Sequence, residues 1–264
     1  MRIVLWLTVG VGVLLAGLGG GANPQHEPPT GDKIATFSIA AIDREAGTCG
    51  AAVASKFPGV GKVVAHARAD VGAFCTQHYD IRAVAPKALD LLADKKLPEE
   101  TLAEILKADK SPGQRQLAII DMQGRSAQRH PIAAGAGSNY WGGMSGRFYV
   151  CQGNTLTGSE VVVAMGKAFE ETKGSLADRL VSALVAADCA GGDHRGRLAA
   201  GVRVCKSGVE GYWLDLHVDR SDDAVIELAK KYAETPHDAK GEWAGAKGPF
   251  VHPCPNRPAP RKPG

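Results

Sequence analysis

The stretch ATFSIAAID, residues 35–43, is the first apolar run after a polar segment and begins the predicted folded domain. It begins a predicted hairpin, in which strand-like runs extend from Thr36 to Ile42 and from Cys49 to Lys56. The residues between them, DREAG, form a polar connection that ends in glycine, which is typical of a β-hairpin.

A second pair of strand-like runs follows. It extends from Val63 to Ala69 and from Gly72 to Gln77, and its two members meet at Asp70-Val71. Four strands this early in the chain predict an antiparallel sheet.

Helical periodicity comes next. Apolar residues repeat at i, i+3, i+4 and i+7 between Ala85 and Leu92, and Pro98-Glu99-Glu100 suits the first turn of a helix that ends near Lys107. The later elements are predicted as a hairpin at 115–121 and 125–129, a strand at 147–152, helices at 161–169 and 176–187, strands at 198–205 and 212–218, and a helix at 225–232.

The segment AAGAGSNYWGGMSG, residues 133–146, has too many glycines for a helix or a strand. We predict a loop and keep two interpretations of it. In one, the loop is mobile and its Tyr140 and Trp141 border a pocket; in the other, it is a plain surface connection with one aromatic side chain in the core.

Strands and helices that occur in separate runs indicate an α+β fold. Two antiparallel sheets packed face to face, with helices outside, would accommodate all these elements. We predict one such domain at residues 36–235, between a linker or propeptide at 23–35 and an irregular Pro/Gly-rich tail at 236–264. Cys254 is an exception in the tail, because a disulfide could tie it to the domain.

Residues 1–22 resemble a signal peptide. A basic residue precedes an apolar stretch, and Gly20 and Ala22 occupy the small-residue positions of a signal-peptidase site. The alternative is an uncleaved membrane anchor, because Ile3 to Ala22 is nearly long enough to span a bilayer. We expect cleavage, no stable membrane insertion afterwards, and a secreted or periplasmic location.

Composition excludes several function classes. The formal net charge of +3 is too small to indicate nucleic-acid binding. Six cysteines fit an oxidising compartment, but the sequence does not choose their pairing. Neither metal-ligand spacing nor a P-loop, GxSxG or dinucleotide fingerprint stands in a supporting context. We therefore expect no metal and no cofactor, and the oligomeric state stays open.

Thr36 is the main candidate for chemistry. If the chain is cut before it, its α-amine, with a pKa near 7.7–8.0, becomes a general base beside its own hydroxyl. One residue then supplies both parts of an N-terminal-nucleophile (Ntn) hydrolase. The alternative is structural, since threonine at the start of a strand is a good β-former.

Three further motifs favour the catalytic interpretation. The sequence TFSIAAID, with the following GTCGAAVASKFPGVGKVVAHARADVGAFCTQ (residues 47–77), resembles the start of domain of unknown function family 1028. CQGNTL at 151–156 and GGDHRGR at 191–197 are similar to two later elements of that family. The similarity covers about residues 36–220.

This bacterial family is assigned to the Ntn-hydrolase-like superfamily. The resemblance therefore implies a four-layer αββα fold with Thr36 as the nucleophile. Relatives often start Met-Thr-Phe-Ser, so that removal of methionine exposes the threonine. Here either signal peptidase cuts after Ala35, which Lys33 and the distance from the apolar core disfavour, or a second cleavage removes the thirteen-residue spacer from Asn23 to Ala35.

Four residues are candidates to assist Thr36. Lys56 or its neighbour Ser55 ends the second strand of the first hairpin, next to the start of the first strand, and could tune the amine. Asn154 and Gln77 each follow a predicted strand and could donate hydrogen bonds to an oxyanion or a substrate amide. The structural alternatives are a solvent-exposed lysine, a helix cap at Asn154 and a backbone partner at Gln77.

Asp193, Arg195 and Arg197 form a charged loop after a helix. Either guanidinium could bind an acidic substrate while Asp193 holds it in position. A salt-bridged loop that braces the next strand is the alternative.

These observations predict an exported amide hydrolase of the Ntn class that acts on a small-molecule or peptide-like amide. Thr36 is the predicted nucleophile. The alternative is a non-catalytic ligand-binding or cell-envelope module on the same fold. A third hypothesis assigns the nucleophile to Ser38 or to a cysteine.

Overall fold

The computed structural model describes residues 33–34, 36–79, 81–132 and 139–235, together with Cys254. The predicted leader at 1–22 lies outside these residues, as do most of the linker and most of the tail. None of the described helices is both long enough and apolar enough to cross a bilayer.

The first hairpins and helices lie where the sequence predicts them. The strands are β1 (Lys33–Ile34), β2 (Thr36–Asp43), β3 (Thr48–Ser55), β4 (Ala65–Arg68), β5 (Gly72–Tyr79), β6 (Arg115–Asp121), β7 (Ser126–Arg129), β8 (Tyr140–Gly146), β9 (Tyr149–Leu156), β10 (Ala199–Lys206) and β11 (Leu214–Val218). The helices are α1 (Gly61–Val64), α2 (Ala85–Ala93), α3 (Pro98–Leu106), α4 (Glu160–Glu171), α5 (Leu176–Cys189) and α6 (Ala224–Glu234).

The strands form two antiparallel sheets. Sheet A has the order β1-β5-β6-β7. β4 pairs with the same edge of β5 as β1 does: β4 lies along the first half of β5, and β1 lies at its last two residues. Sheet B has the order β11-β10-β3-β2-β9-β8. The prediction that the four early strands share one sheet was therefore wrong, because the first hairpin lies in sheet B and the second in sheet A. The short helix α1 turns the chain from one sheet to the other.

The two sheets pack face to face, and the helices cover their outer faces. The apolar side chains of α2 and α3 pack on sheet A, and those of α4, α5 and α6 pack on sheet B. A third apolar cluster, with Ile42, Val53 and Ile120 among its members, fills the space between the sheets. The predicted α+β sandwich is confirmed, with its layers in the order helix, sheet, sheet, helix.

Local sequence explains where the helices begin and end. Ser175 accepts a hydrogen bond from the backbone N–H of Asp178, whose carboxylate accepts from the N–H of Ser175, and this capping box starts α5. Gly191 and Gly192 follow α5 with φ angles of 113° and 53°, and such left-handed positions favour glycine.

The glycine-rich segment differs from its prediction. Residues 133–138 lie outside the described chain, but residues 140–146 form strand β8 at the edge of sheet B. Glycine suits this strand because neighbouring atoms leave no room for a side chain at Gly143. A Cβ there would lie 2.3 Å from Oε1 of Gln128 and 2.4 Å from the carbonyl oxygen of Cys151.

One disulfide joins Cys189, at the end of α5, to Cys254, with a Cα–Cα distance of 5.5 Å. The possible attachment of the tail through Cys254 is thus present in the structure. The other cysteines, Cys49, Cys75, Cys151 and Cys205, are buried thiols.

Candidate functional site

The space between the sheets has an apolar end and a polar end, and Thr36 lies at the polar end. Along β2, Phe37, Ile39 and Ala41 face the helices, so Thr36 and Ser38 face sheet A. Thr36 lies opposite Ser55 on β3. On the other side, Phe37 lies opposite Gly153, which makes Asn154 the neighbour of Thr36 on β9. Sheet B therefore presents a row of three polar side chains to sheet A.

Carboxamide side chains from sheet A meet this row. Oε1 of Gln116 accepts hydrogen bonds from Nε2 of Gln77 at 2.8 Å and from Nδ2 of Asn154 at 2.7 Å. Nε2 of Gln116 donates to the carbonyl of Gly153 at 2.8 Å. Gln116, on β6, is therefore the centre of a buried network that joins the two sheets.

The same network contacts the start of β2. Nε2 of Gln77 donates to the carbonyl oxygen of Thr36 at 3.2 Å, and Oγ of Ser38 donates to Oε1 of Gln77 at 2.7 Å. Gln77 thus fixes both ends of a three-residue segment that begins at Thr36. We call Thr36, Ser38, Gln77, Gln116, Gln152 and Asn154 the carboxamide cluster.

Several buried polar atoms of this cluster have no hydrogen-bond partner among the described residues. They are Oγ1 of Thr36, Oδ1 of Asn154 and both amide atoms of Gln152. Gln152 lies opposite Ser38 and is fully buried. An unpaired buried polar group costs about 1–3 kcal/mol of stability, and such groups concentrate at functional sites. The cluster therefore keeps donors and acceptors available for a ligand.

The titratable neighbours of the cluster favour their neutral forms. Burial, and secondarily the charge of Arg129, lowers the pKa of His130, whose Nδ1 lies 3.2 Å from Nε2 of Gln116. Burial raises the pKa of the Cys75 thiol to about 12, although a hydrogen bond with Ser38 opposes this. Near neutral pH the cluster is thus polar with little charge.

Two strained residues border the cluster. His78 and Thr155 have φ angles of 70° and 53°, and they directly follow Gln77 and Asn154 in the chain. A positive φ is unfavourable for a β-branched residue such as Thr155. Its Oγ1 donates to the carbonyl of Asn154 at 2.7 Å, and its own carbonyl accepts from the N–H of His194 at 3.0 Å. The backbone is therefore bent immediately after each of the two carboxamide residues.

Asn154 and Gln77 lie inside β9 and β5 and not after them, because both strands are longer than predicted. Asn154 does not cap α4, whose N-cap residue is Ser159. Ser55 is the residue opposite Thr36, whereas Lys56 lies just beyond the end of β3 and is half-buried. Within the described residues, no hydrogen bond or ion pair joins Lys56 to Thr36.

The charged loop lies beside the cluster. Leu156 forms an isolated β-bridge with Asp193, two residues beyond Asn154. Arg195 binds Asp193 through Nε at 3.1 Å and Nη2 at 2.7 Å.

The second arginine of this loop is nearly fully buried. Arg197 forms an ion pair with Asp188 of α5, on the helix side of sheet B. The loop thus has one internal salt bridge and a second one to α5, while the side chain of Arg195 remains 33% exposed.

The start of the domain is covered in the uncleaved chain. β1 pairs Lys33 with Tyr79 and Ile34 with His78, and Thr36 is fully buried. A surface cleft of about 680 Å³ lies elsewhere, at the opposite end of β2, where Arg44, Arg147 and Arg179 contribute to its lining. No cluster of three or more His, Cys, Asp or Glu side chains suited to a metal ion occurs in the described part of the chain.

Sequence reasoning missed Gln116 and Gln152 as site residues. Each lies next to buried apolar residues of its strand, Leu117 and Ala118 in RQLAIID of β6 and Val150 and Cys151 in YVCQGNTL of β9. A polar residue beside such an apolar run was the available signal. A glutamine that is surrounded by buried apolar residues needs a partner or a ligand.

Comparison with protein families identifies the group to which this arrangement belongs. The model described as "Family of unknown function (DUF1028)" matches residues 36–228, and the match begins at Thr36, the first residue of β2. The chain belongs to the DUF1028 family. The resemblance seen in the sequence motifs is thereby confirmed.

A solved structure agrees with this assignment. The crystal structure of a DUF1028 protein from Silicibacter pomeroyi matches with a TM-score of 0.68 and 27% sequence identity. The match covers 75% of this chain and 84% of the other. A search of functionally curated proteins finds no match.

Proposed function

We propose that this DUF1028 protein is an exported Ntn amide hydrolase that becomes active when the chain is cut before Thr36. The observation that carries the proposal is the position of Oγ1 of Thr36. This hydroxyl faces the space between the sheets, where the other residues of the carboxamide cluster lie, and has no hydrogen-bond partner among the described residues. A nucleophile needs such an orientation toward the site where its substrate binds.

The proposed reaction uses groups that lie side by side. The α-amine of Thr36 takes the hydroxyl proton, directly or through one water, as Oγ1 attacks the amide carbon. The amine then gives the proton to the leaving nitrogen, and water hydrolyses the resulting ester. Nδ2 of Asn154 uses one N–H for Gln116, and its second N–H can stabilise the oxyanion.

The cluster also supports the proposed substrate class. A small-molecule or peptide-like amide carries one acceptor and, in most cases, one donor. Gln152 offers both complementary groups, and Oδ1 of Asn154 offers a further acceptor. Few charges lie near these atoms, and a neutral amide suits such an environment better than a carboxylate does.

Processing is part of the proposal. Formation of the free amine requires removal of residues 1–35, including β1, whose two residues pair with β5. The predicted signal peptide accounts for export and for the first cut, and a second cut between Ala35 and Thr36 must follow.

The test is the mature N-terminus together with covalent trapping. We expect protein recovered from the periplasm or medium to begin at Thr36, as measured by intact mass and Edman sequencing. A probe that leaves a stable acyl group on the nucleophile should label that chain at Thr36, because the free α-amine activates the hydroxyl. Thr36→Ala should abolish labelling, and Ser38→Ala should retain it. A homogeneous, folded chain that starts near Asn23 and resists the probe would contradict the proposal.

One observation favours the alternative of a non-catalytic binding module. In the uncleaved chain Thr36 is fully buried and β1 is paired, so the fold does not require cleavage. A binding module would remain uncleaved and would tolerate Thr36→Ser and Thr36→Ala equally. An Ntn hydrolase should retain probe labelling in Thr36→Ser and lose it in Thr36→Ala.

A further inference from the structure

Two of the buried thiols face each other at the end of the sandwich opposite Thr36. Cys49 on β3 lies directly opposite Cys205 on β10. Both side chains belong to the apolar cluster between the sheets and are 1–2% exposed. Cys75 and Cys151 have no cysteine opposite them in the described strands, where their partners are Ala65, Ala118, Ile39 and Met144.

The spacing of this pair suits a covalent bond. Directly opposed residues of antiparallel strands have Cα atoms about 4.5–5.5 Å apart, and disulfides require about 4.4–6.8 Å. The two thiols are hydrogen-bonded to each other, and Sγ of Cys49 lies 3.1 Å from the carbonyl oxygen of Arg68. We infer that Cys49 and Cys205 form a dithiol–disulfide couple that cross-links β3 to β10.

The environment distinguishes the roles of the two sulfurs. The hydrogen bond from Cys49, with help from the backbone of Ala69 and the charge of Arg203, lowers the pKa of Cys205. The same thiol–thiol hydrogen bond and burial raise the pKa of Cys49. Cys205 is therefore the thiol that ionises and reacts first, and Cys49 is the thiol that then forms the disulfide with it.

Oxidation proceeds by exchange with an acceptor disulfide, either a small molecule such as oxidised glutathione or a protein disulfide. The Cys205 thiolate attacks one acceptor sulfur and expels a thiolate. Cys49 then loses its proton, and its sulfur attacks Sγ of Cys205 and expels the second thiolate. The pair loses two electrons and two protons, and the acceptor becomes two thiols.

Access to the pair comes from the end of the sheet. Cys49 is the second residue of β3 and Cys205 the penultimate residue of β10, and the N–H of Ser207 bonds to the carbonyl of Gly47 at 2.9 Å just beyond them. Residues 207–211 form an exposed turn. Cys205 thus lies two residues before an exposed turn, and opening of this turn is the route to its sulfur that the proposal requires.

The experiment refolds the full chain from denaturant in a glutathione redox buffer, so that burial does not limit access. The protein is then quenched in acid, unfolded, alkylated and mapped by mass spectrometry. We expect a peptide pair that links Cys49 to Cys205 and is lighter by two hydrogens than the reduced peptides. Cys75 and Cys151 should remain fully alkylated and so act as internal controls.

Variants complete the test. Cys49→Ser should eliminate the cross-linked peptide, and the oxidised wild type should unfold at higher urea concentration than Cys49→Ser, because a cross-link that closes a long loop restricts the unfolded chain. Recovery of Cys49 and Cys205 as free thiols, as glutathione adducts alone, or as partners of Cys75 or Cys151 would overturn the inference. This test requires no activity at Thr36, so its outcome is independent of the proposed function.

Discussion

Replacing Gln116 or Gln152 by methionine should change stability in opposite directions, although both are buried glutamines at the same end of the sandwich. Among the described residues, Gln116→Met removes the hydrogen-bond partner of Nδ2 of Asn154 and one partner of Nε2 of Gln77. It also removes the bond to the carbonyl of Gly153.

The expected loss follows from these contacts. Each buried group that is left unpaired costs about 1–3 kcal/mol, and methionine fills nearly the same volume, so Gln116→Met should cost about 3 kcal/mol. In a domain of this size that corresponds to a decrease in Tm of about 6–12 °C. Gln152→Met removes two buried amide atoms that have no partner, so we expect it to stabilise the fold by about 1 kcal/mol.

The assay is urea unfolding, followed by circular dichroism and tryptophan fluorescence, with the m-value checked for each variant. Gln152→Met should also reduce acyl-probe labelling, because a substrate-binding amide would be lost while the fold gains stability. Equal destabilisation by Gln152→Met and Gln116→Met would show that the unpaired amide atoms of Gln152 do not reduce stability.

Three further predictions concern other parts of the domain. Asp109→Asn should cost about 3 kcal/mol of stability at pH 7 in urea unfolding, because it breaks a buried bidentate pair with Arg115. Asp219→Asn is the control: its ion pair with Lys62 is exposed, so it should cost less than about 1 kcal/mol. Thr155→Gly should relieve the positive φ and leave stability equal or higher. It should also slow probe labelling at Thr36, because the bend that follows Asn154 would be held less firmly; unchanged labelling would show that this bend does not position Asn154. The pKa of His130 is lower in the folded chain than in the unfolded chain, so the unfolded chain binds the proton at a higher pH. The free energy of unfolding should therefore fall as the pH drops below about 6.5. His130→Gln should make this fall less steep in urea titrations from pH 7 to 5.

Local sequence patterns predicted most of the secondary structure. The helices at 85–93 and 98–106 follow from apolar periodicity and a proline start, and the hairpin at 36–55 follows from two apolar runs around a polar turn. The failure at 140–146 is also local: glycine has a low β-propensity, but in β8 it permits a close approach to β9 that no larger residue allows.

The site was predicted only in part. Thr36, Gln77 and Asn154 were named and share the carboxamide cluster, whereas Gln116 at its centre was missed. The bond from Asn154 to Gln116 joins residues 38 positions apart and on different sheets. Such a contact depends on how two sheets stack, and a sequence pattern within one strand carries no information about it.

Local patterns and direct similarity are enough to predict the helices, most of the strands, the α+β class and membership of a family whose motifs begin at Thr36. These features depend on neighbouring residues, on side-chain periodicity or on direct similarity. Three features emerge only in three dimensions: the second hairpin leaves the sheet of the first, glutamines from both sheets meet beside Thr36, and Cys49 faces Cys205. Each of these depends on strand register and sheet packing, which are set by the burial of the whole core and not by any one segment.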